Sequence, residues 1–266
     1  MYFYLFLFFI IGTFFGFIYT NIGYRLPIKA NLFEKSKCDN CNHSLKYKEK
    51  IPIISFIIQK GKCNYCHEKI SLIYIIFEVL TGLLFSLSYI TFIDFNNFSV
   101  LILLSIIFIS SLVIIMFSDI KYMIIPNELL IVSASLVIIL KIYLDYLNEE
   151  VVTLLDIGYE ILFMVSDAFI MFIVMYLIKK IGDKLFKKES LGGGDVKMMA
   201  FVSCLLGYKM SIIVIFIASF IALPFSVINA YKKNEVMLPF GPYLAIATIF
   251  LYLCNINYDM ILDFIH

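Results

Sequence analysis

A chain of 266 residues that is 62% hydrophobic and only 15% charged carries too little charge to coat a soluble domain of that length. Its net charge of +1 conceals a strong asymmetry and by itself says little about partners; no nucleic-acid partner is expected. The unit to count is the membrane-spanning helix of about 20 apolar residues, not the soluble domain.

Residues 1–24 contain no charged side chain. The run is too long for a signal-peptide core, has no basic start and precedes no small-residue cleavage site, so it reads as a retained first helix. A polar, lysine-rich insert follows over 25–70. At this size it cannot hold a stable core without a staple. Further apolar runs cover 71–93, 98–117, 126–147, 157–178, 196–207, 210–230 and 239–256. The expected fold is an all-α polytopic membrane protein of about eight transmembrane segments, with the insert between the first and second. The run at 196–207 is too short to cross unaided. The expected organisation is a first transmembrane helix at 1–24, an insert domain at 25–70 and a larger transmembrane domain at 71–266.

Lysine and arginine set the orientation of such a chain. Alternating eight spans puts 19 of the 21 basic residues on one face and leaves Lys141 and Lys209 on the other. The basic face is expected to be cytoplasmic, with both termini outside. The opposite loop at 148–156 is acidic, with Glu149, Glu150 and Asp156.

Within the insert, Cys38-x-x-Cys41 and Cys63-x-x-Cys66 supply four sulfur ligands of the kind a tetrahedral zinc site needs. Asn40, Asn42 and Gly61 suit the tight turns of two knuckles. Four ligands leave no open position, so a bound zinc ion would be structural rather than catalytic. Redox use of one pair is the competing reading. His43 and His67 sit beside the ligands as bystanders, and Cys204 and Cys254 are expected to be buried, inert packing residues.

Two aspartates stand at the mouths of apolar segments. Asp119 follows a run ending at Phe117, and Pro126-Asn127 opens the next helix, proline suiting a first turn. Asp195 follows Gly192, Gly193 and Gly194, which permit sharp turns and close approach of another chain. Alone, each has a bland reading, a juxtamembrane loop acid or a helix N-cap. On one membrane face they form a carboxylate pair. Two nearby carboxylates cannot easily both ionise, so one proton is shared. The ionised member then activates water and the protonated one polarises a carbonyl, the chemistry of peptide hydrolysis. Lys121 and Lys197 lie close in sequence and are either tuning charges or solvated lysines of the cytoplasmic face.

Six stretches in order resemble the type IV prepilin peptidases, polytopic aspartic proteases of the Gly-x-Gly-Asp class. They are GFIYTNIGYRLP at 16–27, the two cysteine knuckles, GKCNYCHEKISLIYIIFEVLTG at 61–82, SDIKYMIIPN at 118–127, LGGGDVK at 191–197 and PFGP at 239–242. The resemblance implies that Asp119 and Asp195 are the catalytic dyad, supported by Gly192, Gly194, Lys197 and Pro126. It implies cleavage of prepilins or pseudopilins after the glycine that ends a short basic leader, in the bacterial cytoplasmic membrane and on its cytoplasmic side. It also implies a second activity, methylation of the new N-terminus with S-adenosylmethionine. Two positions depart from the family's usual pattern: Asp39 stands where proline is common, and Thr20 where asparagine is common.

Glu78, about two turns into the second span, reads either as a packing residue or as part of a methyltransferase or docking site, because intramembrane acids are rare. Asp167 is a weaker candidate of the same kind. Arg25 reads as an anchor to lipid phosphates or as a substrate contact. PFGP is expected to shape a helix entrance, since its prolines and glycine break regular backbone. The alternatives to a peptidase are a non-enzymatic, zinc-stapled membrane scaffold and a membrane thiol oxidoreductase.

Overall fold

A computed structural model describes residues 2–32, 34–38, 40–93, 97–187, 190–231 and 238–265. Asp39 of the first knuckle and the basic residues Lys188, Lys232 and Lys233 lie outside them. Among the described residues the helices are α1 (Tyr2–Arg25), α2 (Ile54–Ile58), α3 (Leu72–Phe92), α4 (Phe98–Tyr122), α5 (Asn127–Leu147), α6 (Leu154–Phe186), α7 (Gly193–Tyr231), α8 (Gly241–Leu253) and α9 (Tyr258–Ile265). The chain divides into two compact units, one ending at Ile93 and the other beginning at Asp94.

Where eight spans were expected, six helices among the described residues are long and apolar enough to cross a membrane: α1, α3, α4, α5, α6 and α7. That makes this a multi-pass membrane protein. The difference from eight has two causes. The runs 196–207 and 210–230 lie on either side of a non-helical residue within the continuous stretch α7, and the last run forms only the 13-residue α8. Inside α7, Gly207 adopts φ 77° and ψ 160°, which no helix contains. Only glycine takes that backbone without strain. Asp167 of α6 lies against the break, its carboxylate accepting from the Tyr208 amide at 3.4 Å. The intramembrane acid thus satisfies an amide that the broken helix leaves exposed.

In the first unit, α1 packs along α3. The contact is made through Gly12 and Gly16, four residues apart. A Cβ on Gly12 would sit 2.7 Å from the Gly82 Cα, and one on Gly16 would sit 2.8 Å from the Glu78 Cα. Small residues at this spacing let membrane helices approach to backbone contact, which supplies the packing that lipid cannot. Outside the helix pair lies the insert, with its two knuckles, a 3-10 turn at Tyr47–Glu49 and α2.

The second unit is built around α4. Every residue from Phe108 to Asp119 is buried, as expected for a helix that is apolar on all sides and enclosed by others. α4 packs on α5 and α8, while α7 packs on α5, α6 and α8. The C-terminal end of α4 therefore meets the N-terminal ends of α5, α7 and α8.

Replacing Gly16 or Gly12 with alanine is expected to push α1 off α3 and cost about 1–3 kcal/mol, the range for overpacking. Replacing the exposed Phe14 with alanine should change little. Thermal unfolding of the detergent-solubilised protein measures both; equal losses would show that the glycine contact is not what holds the pair.

Candidate active site

Asp119 does not follow the helix, as the end of the apolar run at Phe117 suggested; it lies in the last turn of α4, which continues to Tyr122. The helix is closed by Met123 in the left-handed conformation (φ 54°), whose amide donates to the Asp119 carbonyl at 2.8 Å. Ser118 Oγ donates to the Ile124 carbonyl and tightens the same turn. Buried Pro126 then stands at the N-cap of α5. Asp195 is not an N-cap. Gly193 and Gly194 are already helical, which places Asp195 in the first turn of α7.

Both carboxylates are buried, 5% and 6% exposed. They converge on Gly241 at the start of α8. Its backbone N–H donates to Asp119 Oδ2 at 3.0 Å. A Cβ on Gly241 would lie 2.7 Å from that oxygen and 3.4 Å from Asp195 Oδ1. The two carboxylate oxygens are thereby within about 6 Å of each other, the range in which like charges act on one another's ionisation.

The glycines before Asp195 differ in what they do. A Cβ on Gly192 would come 3.1 Å from Asp195 Oδ2, and one on Gly194 would come 3.0 Å from the Ile125 side chain, whereas one on Gly193 would meet nothing within 4 Å. Gly194 thus lets α7 begin against the turn that precedes Pro126. Lys197 does not reach toward the carboxylates; its Nζ donates to Asn127 Oδ1 at 2.8 Å and ties the first turn of α7 to that of α5.

Three residues outside the sequence motifs secure the glycine loop. The Ser190 amide and hydroxyl both donate to Asp183 Oδ1, at 2.6 and 2.8 Å. Lys179 Nζ donates to the Leu191 carbonyl and lies 3.7 Å from Asp183 Oδ2. In the sequence, Lys179 and Asp183 look like ordinary charges at a helix end; their spacing of four on one face is the only signal there. The Gly241 amide is equally silent in the sequence, because PFGP signals a helix start but not which atom it presents.

In the first unit the four sulfur atoms of Cys38, Cys41, Cys63 and Cys66 lie within 4.8 Å of one another. Cys38 and Cys66 sulfurs are 3.8 Å apart, the edge of a tetrahedron with metal–sulfur bonds of about 2.3 Å. The donor set fits zinc. The two knuckles repeat one another: the amides of Asn42 and His67, each with positive φ, donate to the carbonyls of Cys38 and Cys63, both at 3.0 Å. Backbone N–H groups of Cys66 and Tyr65 pull the Cys63 thiol down to about 7 from its ordinary 9.0. His43 stacks on Tyr65, with ring centroids 3.6 Å apart. Cys204 is buried as expected, but Cys254 is exposed because it sits at the C-cap of α8 rather than inside it.

Beside the cluster is a cavity of about 690 Å³, within the range of small-molecule sites. Thr20, Arg25, Glu34, Glu49 and Glu78 are among the residues that line it. Glu78 is buried and accepts from the Ile53 amide at 2.8 Å. Arg25 donates to the carbonyls of Leu32 and Glu34 at 2.8 and 2.6 Å and fastens the loop after α1.

Two family models match this chain: the bacterial peptidase A24 N-terminal domain over residues 10–92 and the type IV leader peptidase family over residues 106–227. A prepilin leader peptidase/N-methyltransferase of Bacillus subtilis (strain 168) is 31% identical, covering 96% of this chain and 95% of its own. The type 4 prepilin-like proteins leader peptide-processing enzyme of Escherichia coli O78:H11 is 30% identical over 82% of this chain and 76% of its own. The prepilin leader peptidase/N-methyltransferase of Dichelobacter nodosus is 30% identical over 81% and 70%. No solved structure matches.

The purified chain is expected to hold one zinc ion and to lose it on Cys66→Ser substitution, with faster proteolysis between residues 46 and 70. All four sulfurs must be deprotonated to hold the metal, so it should be retained at neutral pH and released as the pH falls, protons competing for the ligands. Metal analysis across a pH series checks both; full retention by Cys66→Ser would remove that residue from the ligand set.

Proposed function

Because the chain belongs to the type IV leader peptidase family, we propose that it removes the leaders of type IV prepilins and pseudopilins by aspartic catalysis, with Asp119 and Asp195 as the dyad. The observation that carries this reading is the convergence of both buried carboxylates on Gly241, whose amide donates to Asp119 and whose Cα side also faces Asp195. A substrate with a short basic leader, a glycine and then an apolar helix would seat that helix in the bilayer. Its scissile bond, after the glycine, then falls at the level of the dyad.

The dyad holds one proton between two carboxylates. The ionised member takes a proton from water as the water oxygen bonds to the glycine carbonyl carbon. The protonated member hydrogen-bonds the carbonyl oxygen as it gains charge. The tetrahedral intermediate then breaks its C–N bond, and the departing nitrogen takes up a proton. The products are a leader ending in a carboxylate and a mature chain with a free amine. The Gly241 amide orients Asp119 throughout, and the Asp183–Ser190 and Lys179–Leu191 contacts hold the loop that carries Asp195.

That new amine is the acceptor for a second activity, N-methylation, which the names of two of the relatives carry. S-adenosylmethionine would supply the electrophilic methyl group. The cavity of the first unit suits such a ligand in volume, and its wall offers both acidic and basic side chains, Glu78 and Arg25 among them, to a ligand that carries charges of both signs. Zinc would close the four-cysteine site and hold the insert together without entering either reaction.

We read the chain as eight segments in the bacterial cytoplasmic membrane, with the dyad and the insert domain at 25–70 on the cytoplasmic side. What supports this is the geometry of α7. A straight helix would carry Tyr231 about 54 Å from Asp195. The ten residues on to Gly241, even fully extended, reach back only about 35 Å. Gly241 nonetheless lies beside Asp195, so α7 must double back, and Gly207 is the break at which it does. The first half, about 20 Å long, spans less than a full bilayer.

Membranes carrying Asp119→Asn or Asp195→Asn should lose cleavage of a model prepilin by about 10²–10⁴-fold. Both should still methylate a pre-cut substrate, followed with labelled S-adenosylmethionine. Full cleavage by either variant would sink the assignment of that aspartate. In Gly241→Ala the added methyl group would meet the Asp119 carboxylate at 2.7 Å and push it aside. The variant should cleave about 10²-fold more slowly, since the displaced carboxylate loses its alignment.

A further inference from the structure

α2 carries its apolar face outward. Ile54, Ile57 and Ile58, at i, i+3 and i+4 on one side, are 54%, 67% and 72% exposed, and Ile51 just before them is also exposed. Ser55, Phe56 and Gln59, on the opposite side, line the cavity. A helix facing water has the reverse arrangement.

Two rulers give the depth of this face. The Ile53 amide, one residue before α2, is bonded to Glu78. Glu78 lies six residues beyond Leu72, about 9 Å into α3. On the neighbouring helix Glu78 is level with Gly16, which is nine residues, about 13 Å, inside the Arg25 end of α1. Both helices are long and apolar enough to cross a membrane. The start of α2 therefore sits well inside the ends of two spanning helices. Ile53 itself holds φ 60°, a backbone that a β-branched residue adopts only when its surroundings impose it. The bond to Glu78 is one such restraint.

The flanking charge has one sign. Residues 46–62 contain Lys46, Lys48, Lys50, Lys60 and Lys62 against a single acid, Glu49. Exposed isoleucines between lysines match the chemistry of an anionic lipid surface, where apolar side chains enter the acyl boundary and ammonium groups meet phosphates.

We propose that α2 is an interfacial anchor, with Ile51, Ile54, Ile57 and Ile58 inserted into the anionic leaflet and Lys48, Lys60 and Lys62 facing its headgroups. The insert is then not a free cytoplasmic domain. It is pinned at the lipid surface from below by Glu78 and from the side by α2, and the cavity between them opens at that surface.

The chain contains no tryptophan, so Ile57→Trp and Ile58→Trp each install a single fluorescent reporter at an already exposed site. Each full-length variant would be reconstituted in phosphatidylglycerol–phosphatidylcholine vesicles, with bound metal confirming the insert's fold. Lipids brominated on the acyl chain are expected to quench the reporter at least about twofold, and aqueous acrylamide hardly at all, as for a side chain at the acyl boundary. Quenching by acrylamide with none by bromolipid would overturn the proposal, as would protection from both, which would mean that protein covers the face. Replacing phosphatidylglycerol with phosphatidylcholine should weaken the bromolipid effect; an unchanged effect would remove the lysines from the anchor.

Discussion

A carboxylate buried at the mouth of an apolar bundle needs a donor, and few donors are available there. Helix interiors use their own amides, and only the first turns of helices leave N–H groups free. The second unit meets this constraint by bringing the start of α8 to the end of α4, so that the Gly241 amide reaches Asp119 Oδ2. Much of the unit's architecture follows from that contact. α8 must begin where α4 ends. α7 must leave the site and return to it, and it can return only if it breaks. The break at Gly207 exposes an amide, and Asp167 is placed to accept from it. A side chain on Gly241 would occupy the space where the two carboxylates approach.

The first unit solves a different problem with the same residue type. Gly12 and Gly16 bring α1 and α3 to backbone contact, which aligns Gly16 with Glu78. Glu78 in turn holds Ile53 and so the entry to α2. The insert is thus tied into the helix pair at one end and stapled by the cysteine cluster at the other. The resulting cavity has walls from both.

Much of the site is legible in the amino-acid sequence. The cysteine pairs at fixed spacing point to a four-sulfur cluster, and the aspartates at the mouths of apolar runs point to a pair, because in both cases the chemistry restricts residue type and position tightly. The details of helix ends are not legible. Hydrophobicity places the end of α4 at Phe117 and the start of α7 after Asp195, whereas both helices extend past the apolar run and carry their aspartates within a turn. Apolar runs report where lipid or core is, not where the backbone stops being helical. The GxxxG spacing of Gly12 and Gly16 is plain in the sequence. It does not identify a contact there, because a close approach has meaning only when the partner helix is known.

By itself the sequence determined that the protein is an all-helical, multi-pass membrane protein with a four-cysteine insert, and that two aspartates flank its apolar runs. These are properties of composition, run length and short-range spacing, each enforced locally by the cost of placing charge or open backbone in hydrocarbon. The tertiary structure alone decided that the runs at 196–207 and 210–230 meet at a non-helical Gly207, whose neighbouring amide is taken up by Asp167. It also decided that Lys197 serves Asn127 rather than the carboxylates, that Lys179 and Asp183 secure the glycine loop, and that a backbone amide of α8 orients Asp119. Each of these joins residues distant in the chain through a single hydrogen bond or a sub-ångström steric limit. Such partnerships leave no periodicity or composition to read, since only the packed helices bring the two atoms together.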